Sequence, residues 1–149
     1  MYSPDRVENS PPSSRHILSV SPFREDHDGL HAIVEPLNVL MSEACSRRDA
    51  LLSMASRRFD VILCEALSHW QDILSYLAEV LEPPLLIVTT GMDERLWAEA
   101  LNLGVWDVLV KPFNRAEVRR VMKSALLRLH TEPPAARHRS ELLRRATAA

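Results

Sequence analysis

With 149 residues, 46% hydrophobic and 26% charged, the chain has the composition of one globular domain large enough to bury a core, which excludes a disordered or collagen-like segment. A formal net charge of −2 gives no general reason to expect nucleic acid as a partner, and no apolar run reaches the roughly 18 residues needed to cross a bilayer. Cys45 and Cys64 lie on different segments without CxxC spacing, so they are expected to be small buried residues in a reducing compartment rather than a disulfide.

Residues 1–14 hold Pro4, Pro11, Pro12 and several serines but no apolar stretch of signal-peptide type, so they read as a flexible leader to a cytoplasmic protein. A first strand is expected over 16–20, running into Ser21-Pro22. The first helix, around 26–35, is the weakest, because Gly29 interrupts it and Pro36 ends it. A shorter, more polar strand over 39–43 suits a sheet edge. Ser46 then caps a helix over 47–58, with Asp49 three residues on and Leu51, Leu52 and Ala55 as its expected buried stripe.

The third strand, 60–64, stops at Glu65, and a third helix is expected over 67–81. A fourth strand over 85–89 stops at Thr89 and Thr90. The fourth helix, 93–103, is closed by Gly104 as a left-handed cap. The fifth strand, 106–110, delivers Lys111-Pro112. Asn114 caps the last helix, 115–130, with Glu117 at its third position and Val118, Val121, Met122, Ala125 and Leu129 at helical spacing. The folded part is therefore expected over 15–130, followed by a Pro/Arg-rich tail, 131–149, in which 140–145 make one or two marginal helical turns.

Strands one, three, four and five are continuous apolar runs, as in strands covered on both faces, and their alternation with helices implies a parallel sheet with right-handed crossovers. A hydroxyl ending strand four (Thr89) and Lys111-Pro112 ending strand five, on this (βα)5 frame, resemble the receiver domain of bacterial response regulators over about residues 15–130. The fold expected is thus doubly wound α/β, flavodoxin-like, with a five-stranded parallel sheet in the order 2-1-3-4-5.

The resemblance also marks departures. It implies two metal-binding acids directly after strand one, where Ser21 and Pro22 stand; a hydroxyl is a poor ligand for a hard cation and proline offers none. Glu25, Asp26 and Asp28 follow, in places where acids favour a helix amino terminus. Glu65 aligns with the phosphoacceptor aspartate and Asp60 with an acid at the start of that strand. Thr90 stands for the family's small residue after the fourth-strand hydroxyl. Val108 stands for its fifth-strand aromatic, with Trp106 two positions earlier. No cofactor is expected, with Mg²⁺ binding lost or weak, and the protein is not expected to be an enzyme. Glu65 is expected to pair with Lys111 across the strand ends.

The function implied is an atypical receiver of two-component phosphorelay signalling that acts by docking, independently of phosphorylation. Its partner would be a histidine kinase, an output protein or a second copy, met through the fourth helix, fifth strand and fifth helix. Interface candidates there are Trp97 and Trp106, which read equally as helix–sheet packing residues, and Arg115 and Arg119, which read also as a solvated face. One alternative is a phosphorylatable receiver using Glu65 with Thr89 and Lys111; another is a nucleic-acid-associated regulator acting through the arginine-rich tail. His27 and His69 read as solvent-facing loop residues, and no HExxH, GxGxxG or Walker pattern occurs.

Overall fold

A computed structural model describes residues 15–91 and 93–127. The leader (1–14), the tail (131–149) and the expected last helical positions, Leu129 and His130, lie outside them. Strands β1 (His16–Val20), β2 (Leu40–Ala44), β3 (Val61–Glu65), β4 (Leu85–Thr90) and β5 (Asp107–Val110) form one sheet, and every neighbouring pair is parallel. The order is β2-β1-β3-β4-β5. The chain winds outward from β1 first one way and then the other, which puts the carboxyl ends of β1 and β3 at the reversal.

Helices α1 (Arg24–Val34) and α5 (Arg115–Leu127) cover one face of the sheet; α2 (Arg47–Ser56), α3 (Trp70–Leu77) and α4 (Glu94–Leu103) cover the other. The alternation of strand side chains feeds two cores. Ile17, Val61, Leu63, Ile87 and Leu109 meet Leu30 and Ile33 of α1 and Val118 and Met122 of α5. Leu18, Val20, Ile62, Cys64, Leu86 and Val88 meet Ala50, Trp70, Ile73 and Ala100. No helix among the described residues is long and apolar enough to cross a membrane.

The caps behave as their residue types dictate. Ser46 Oγ accepts the Asp49 amide at 3.2 Å, Asn114 Oδ1 accepts the Glu117 amide at 2.9 Å, and Gly104 takes φ 95°. Four expectations need correction. Helix α1 begins at Arg24, and Pro36 sits in a 3-10 turn (Glu35–Leu37) closed by Asn38 at φ 59°. Cys45 is exposed, because β2 lies one residue later than expected, ends at Ala44 and turns the next side chain outward. In α2, Ala50 is buried, with Met54 packed against the same core, while Leu52 is exposed; the cap at Ser46 sets a helical phase one residue off the expected stripe. Helix α3 is shorter than 67–81: Ala66–Ser68 is a 3-10 turn, His69 at φ 56° breaks the path, and the helix closes at Ala78.

Candidate functional site

Three segments meet at the carboxyl edge of the sheet: the β1–α1 loop, the end of β3 and the end of β5. Glu65 continues the side of β3 that carries Val61 and Leu63, so its carboxylate points toward the α1/α5 layer. Lys111 follows β5, its amide donating to the Thr90 carbonyl at 2.7 Å, and the peptide to Pro112 is cis. The ammonium reaches back to Glu65 Oε1 at 3.2 Å and to Asp26 Oδ2 at 3.1 Å. It also lies 5.0 Å from the centre of the Phe23 ring, within cation–π range.

Both acids have further partners. Glu65 Oε2 accepts the Leu67 amide at 2.6 Å, which caps the following 3-10 turn. Asp26 Oδ2 also accepts the Ser21 hydroxyl at 2.7 Å. Ser21 is in turn held by its amide on the Ala44 carbonyl and by the Phe23 amide on its Oγ. Beneath it, His27 is 1% exposed, with Nε2 2.9 Å from the Ser21 carbonyl and Nδ1 2.9 Å from Ser19 Oγ. Because the carbonyl can only accept, Nε2 donates to it. The Cys64 thiol beside the site is pushed up to about 12, first by burial and then by the Glu65 charge.

Ser21 is thus a buried tether, and Pro22 beside it is exposed. Thr89 and Thr90 are buried at the end of β4, with Thr89 in register with Glu65 and with Leu109. Asp26 and His27 correct the reading of residues 25–28. Asp26 lies inside the rim as the second carboxylate on Lys111, and His27 is buried rather than facing solvent. The signal was present: Asp26, Leu30 and Ile33 repeat at helical spacing, so the stripe that buries the leucine and isoleucine also buries the aspartate. Glu25 and Asp28 are exposed, the latter paired with Arg24.

Two of the interface candidates pack within the domain. Trp106 is 8% exposed and packs in the α1/α5 core just before β5, because its ring is enclosed by those helices and the sheet. Arg119 is half-buried, its Nε donating to the Ile33 carbonyl at 2.9 Å, so it ties α5 to α1. Trp97 on α4 is 36% exposed, and Arg115 at the start of α5 is exposed. His69 is exposed in its turn, away from any cluster of metal-ligating side chains.

A divalent ion fits these donors poorly. Mg²⁺ demands oxygens at about 2.1 Å in near-octahedral array. Here both Glu65 oxygens and Asp26 Oδ2 are already engaged, and an ammonium occupies the point where the two acids converge. Among the described residues, no group of three or more His, Cys, Asp or Glu side chains is placed to hold a metal.

No family model matches the chain. It is 31% identical over 105 residues to the transcriptional regulatory protein ZraR of Escherichia coli O157:H7, an alignment covering 68% of this chain and 24% of that protein. To the probable transcriptional regulator ycf27 of Cyanidium caldarium it is 24% identical over 133 residues, 85% of this chain and 52% of that one. The chain therefore spans about a quarter to a half of the length of these relatives. Among solved structures, the signal receiver domain of an HD domain-containing protein from Pseudomonas fluorescens Pf-5 superposes with TM-score 0.70 at 26% identity, covering 80% of this chain and 99% of that one. A putative response regulator from Chloroflexus aurantiacus J-10-fl gives TM-score 0.71 at 18% identity over 76% and 98% of the two chains, a likeness of fold.

Proposed function

The chain carries a receiver domain of the response-regulator family of two-component signalling, and from that premise we propose that this receiver signals by docking, without phosphoryl transfer. The observation that carries the reading is the double engagement of Glu65, with one carboxylate oxygen on the Lys111 ammonium and the other on the Leu67 amide. Forming an acyl phosphate needs a free carboxylate oxygen in line with the donor phosphorus and a cation across the phosphoryl oxygens. Here the oxygens are committed and the available cation is consumed by two acids. The rim is fixed in one arrangement, and the surface around it is what a partner reads.

That partner is a histidine kinase, an output protein or a second copy of the chain, met in the cytoplasm. The surface proposed is the exposed side of α4 with β5 and α5, where Trp97 in the first turn of α4 and Arg115 at the start of α5 are exposed. Tryptophan and arginine are the residue types that anchor interfaces most often.

Incubation with acetyl phosphate and Mg²⁺, followed by intact mass, tests the chemistry. Unmodified protein is expected; a phosphoryl adduct on Glu65 would replace this reading with that of a phosphorylatable receiver using Thr89 and Lys111. For the docking face, Trp97→Ala with Arg115→Glu is expected to weaken self-association in ultracentrifugation or binding to a purified cognate kinase. Unchanged affinity on both counts would put the face elsewhere.

A further inference from the structure

Strand β2 ends the sheet, and its outer edge is open. Among the described residues its one neighbour is β1, in parallel register from His16 with Leu40 to Val20 with Ala44. The Leu40 amide donates to the Arg15 carbonyl at 2.9 Å, and the Ser21 amide donates to the Ala44 carbonyl at 3.0 Å. Leu40, Ser42 and Ala44 therefore turn their backbone groups to β1, and Met41 and Glu43 turn theirs outward. The amide and carbonyl of each are strong hydrogen-bonding groups aimed away from the sheet. Edges are commonly protected by lysine, proline or a bulge, and Leu40–Ala44 contains none of these. Its one charge, Glu43, is drawn aside toward α1, where the carboxylate accepts Arg24 Nη1 at 2.6 Å and meets His31 Nε2 at 2.8 Å.

We propose that two copies of this chain join antiparallel along β2, about a two-fold axis at Ser42, into one continuous sheet. The open groups are self-complementary in that register. Met41 lies opposite Glu43 of the second copy, and residues so paired exchange both of their amide–carbonyl bonds; the axis repeats the exchange. The helix beside the edge fits the same axis. Helix α1 lies over β1 and β2 and runs antiparallel to them, and Glu43 reaches both Arg24 and His31, which sets it level with about position 27–28 of the helix. Ser42, one residue or about 3.3 Å nearer the amino edge, is then level with about 29–30 at 1.5 Å per helical residue. Joining the strands sets the two α1 helices about two strand spacings apart, roughly 10 Å, the ordinary separation of packed helices. Antiparallel about that level, Arg24 faces Glu35 of the second copy and Asp28 faces its His31. These four side chains are exposed and line the groove between α1 and β2, so acids meet basic groups rather than one another. Backbone and charge that are complementary about one axis fit a second copy better than an unrelated extended peptide. The edge is the far one from β5, so the inference is independent of the docking face around α4.

The test uses the full chain, by sedimentation and by disulfide trapping with oxidised glutathione. Residues on the axis form a pair whose Cα atoms are about 4.5 Å apart, within disulfide reach. In a Cys45→Ser background, Ser42→Cys is therefore expected to give a covalent dimer. Leu40→Cys is expected to stay monomeric under the same oxidation, because position 40 lies about 14 Å along the strand from its counterpart. Wild-type protein is expected to sediment as a reversible dimer, and Glu35→Arg, at an exposed position, to weaken it by about tenfold through two like-charge contacts with Arg24. Trp97→Ala with Arg115→Glu is expected to leave this dimer intact, its effect falling on partner binding. A wild type monomeric at its highest soluble concentration, equal trapping at positions 40 and 42, or a dimer indifferent to Glu35→Arg overturns the inference. A dimer lost only in Trp97→Ala with Arg115→Glu also overturns it and assigns self-association to the α4–β5–α5 side. Should loss of the His16–Ser42 hydrogen bond unfold Ser42→Cys, the sedimentation of wild type and Glu35→Arg decides.

Discussion

Replacing Glu65 by Gln and Asp26 by Asn, singly and together, probes the rim without changing its shape. At 3.2 Å and an effective dielectric of about 20, one carboxylate attracts the Lys111 ammonium by about 5 kcal/mol. Most of that is offset by taking both ions out of water, so the pair as a whole contributes little net stability. Removing one partner of a buried pair ordinarily costs about 3–5 kcal/mol because a charge is stranded. Here each single change leaves Lys111 a second carboxylate, and the ammonium is 21% exposed, so about 1–2 kcal/mol is expected for each. The double variant strands the ammonium altogether, so its loss is expected to exceed the sum of the singles by about 1 kcal/mol or more. Urea unfolding with an unchanged m-value reads these differences directly. Strict additivity, or single losses below about 0.5 kcal/mol, would refute the argument by showing that the three charges do not share one desolvated pocket.

Burial, followed by the nearby Arg57 charge and opposed by Asp60, holds the His16 imidazole below its usual value. Its folded pKa is therefore lower than its unfolded one. The associated stability is complete above the unfolded value and drains away as pH falls through 6.5 toward the folded value. Urea midpoints should fall between pH 7 and pH 5 with a slope that His16→Gln reduces; an unchanged slope would contradict the burial argument. Thiol labelling of the native protein near neutral pH should modify exposed Cys45 readily and spare Cys64, whose thiol is pushed up to about 12, until the protein unfolds. Gly104→Ala should cost about 1 kcal/mol, because φ is 95° although no atom lies within 4 Å of the added methyl; a neutral substitution would mean that the turn relaxes.

The frame of the molecule was legible because strand and helix periodicities are local. Runs such as Val61–Glu65 and Leu85–Thr90 announce themselves, and the caps at Ser46, Asn114 and Gly104 follow from residue chemistry within one turn. The convergence of Glu65 with Lys111 was also readable, since both stand at the carboxyl ends of strands in one parallel sheet, β4 lying between them, and every such end opens at one edge. Asp26 was not recognised, because an acid in a first helical turn has a local explanation that hides its tertiary one. His27 was missed for a similar reason: its partners are a hydroxyl on β1 and a backbone carbonyl, which composition does not reveal. Trp106 and Arg119 show the same limit from the other side, since residue type gives no account of which side of a helix layer a large side chain enters.

Because Lys111 and Lys123 are the chain's two lysines, the ammonium groups can be observed almost individually by side-chain nitrogen NMR. Lys123 is exposed on α5, whereas Lys111 is clasped by Asp26 and Glu65. One slowly exchanging ammonium signal is therefore expected, absent from the Asp26→Asn/Glu65→Gln protein and unmoved by millimolar Mg²⁺. Rapid exchange at both lysines, or displacement of the protected signal as magnesium is added, would contradict a rim closed by its own lysine.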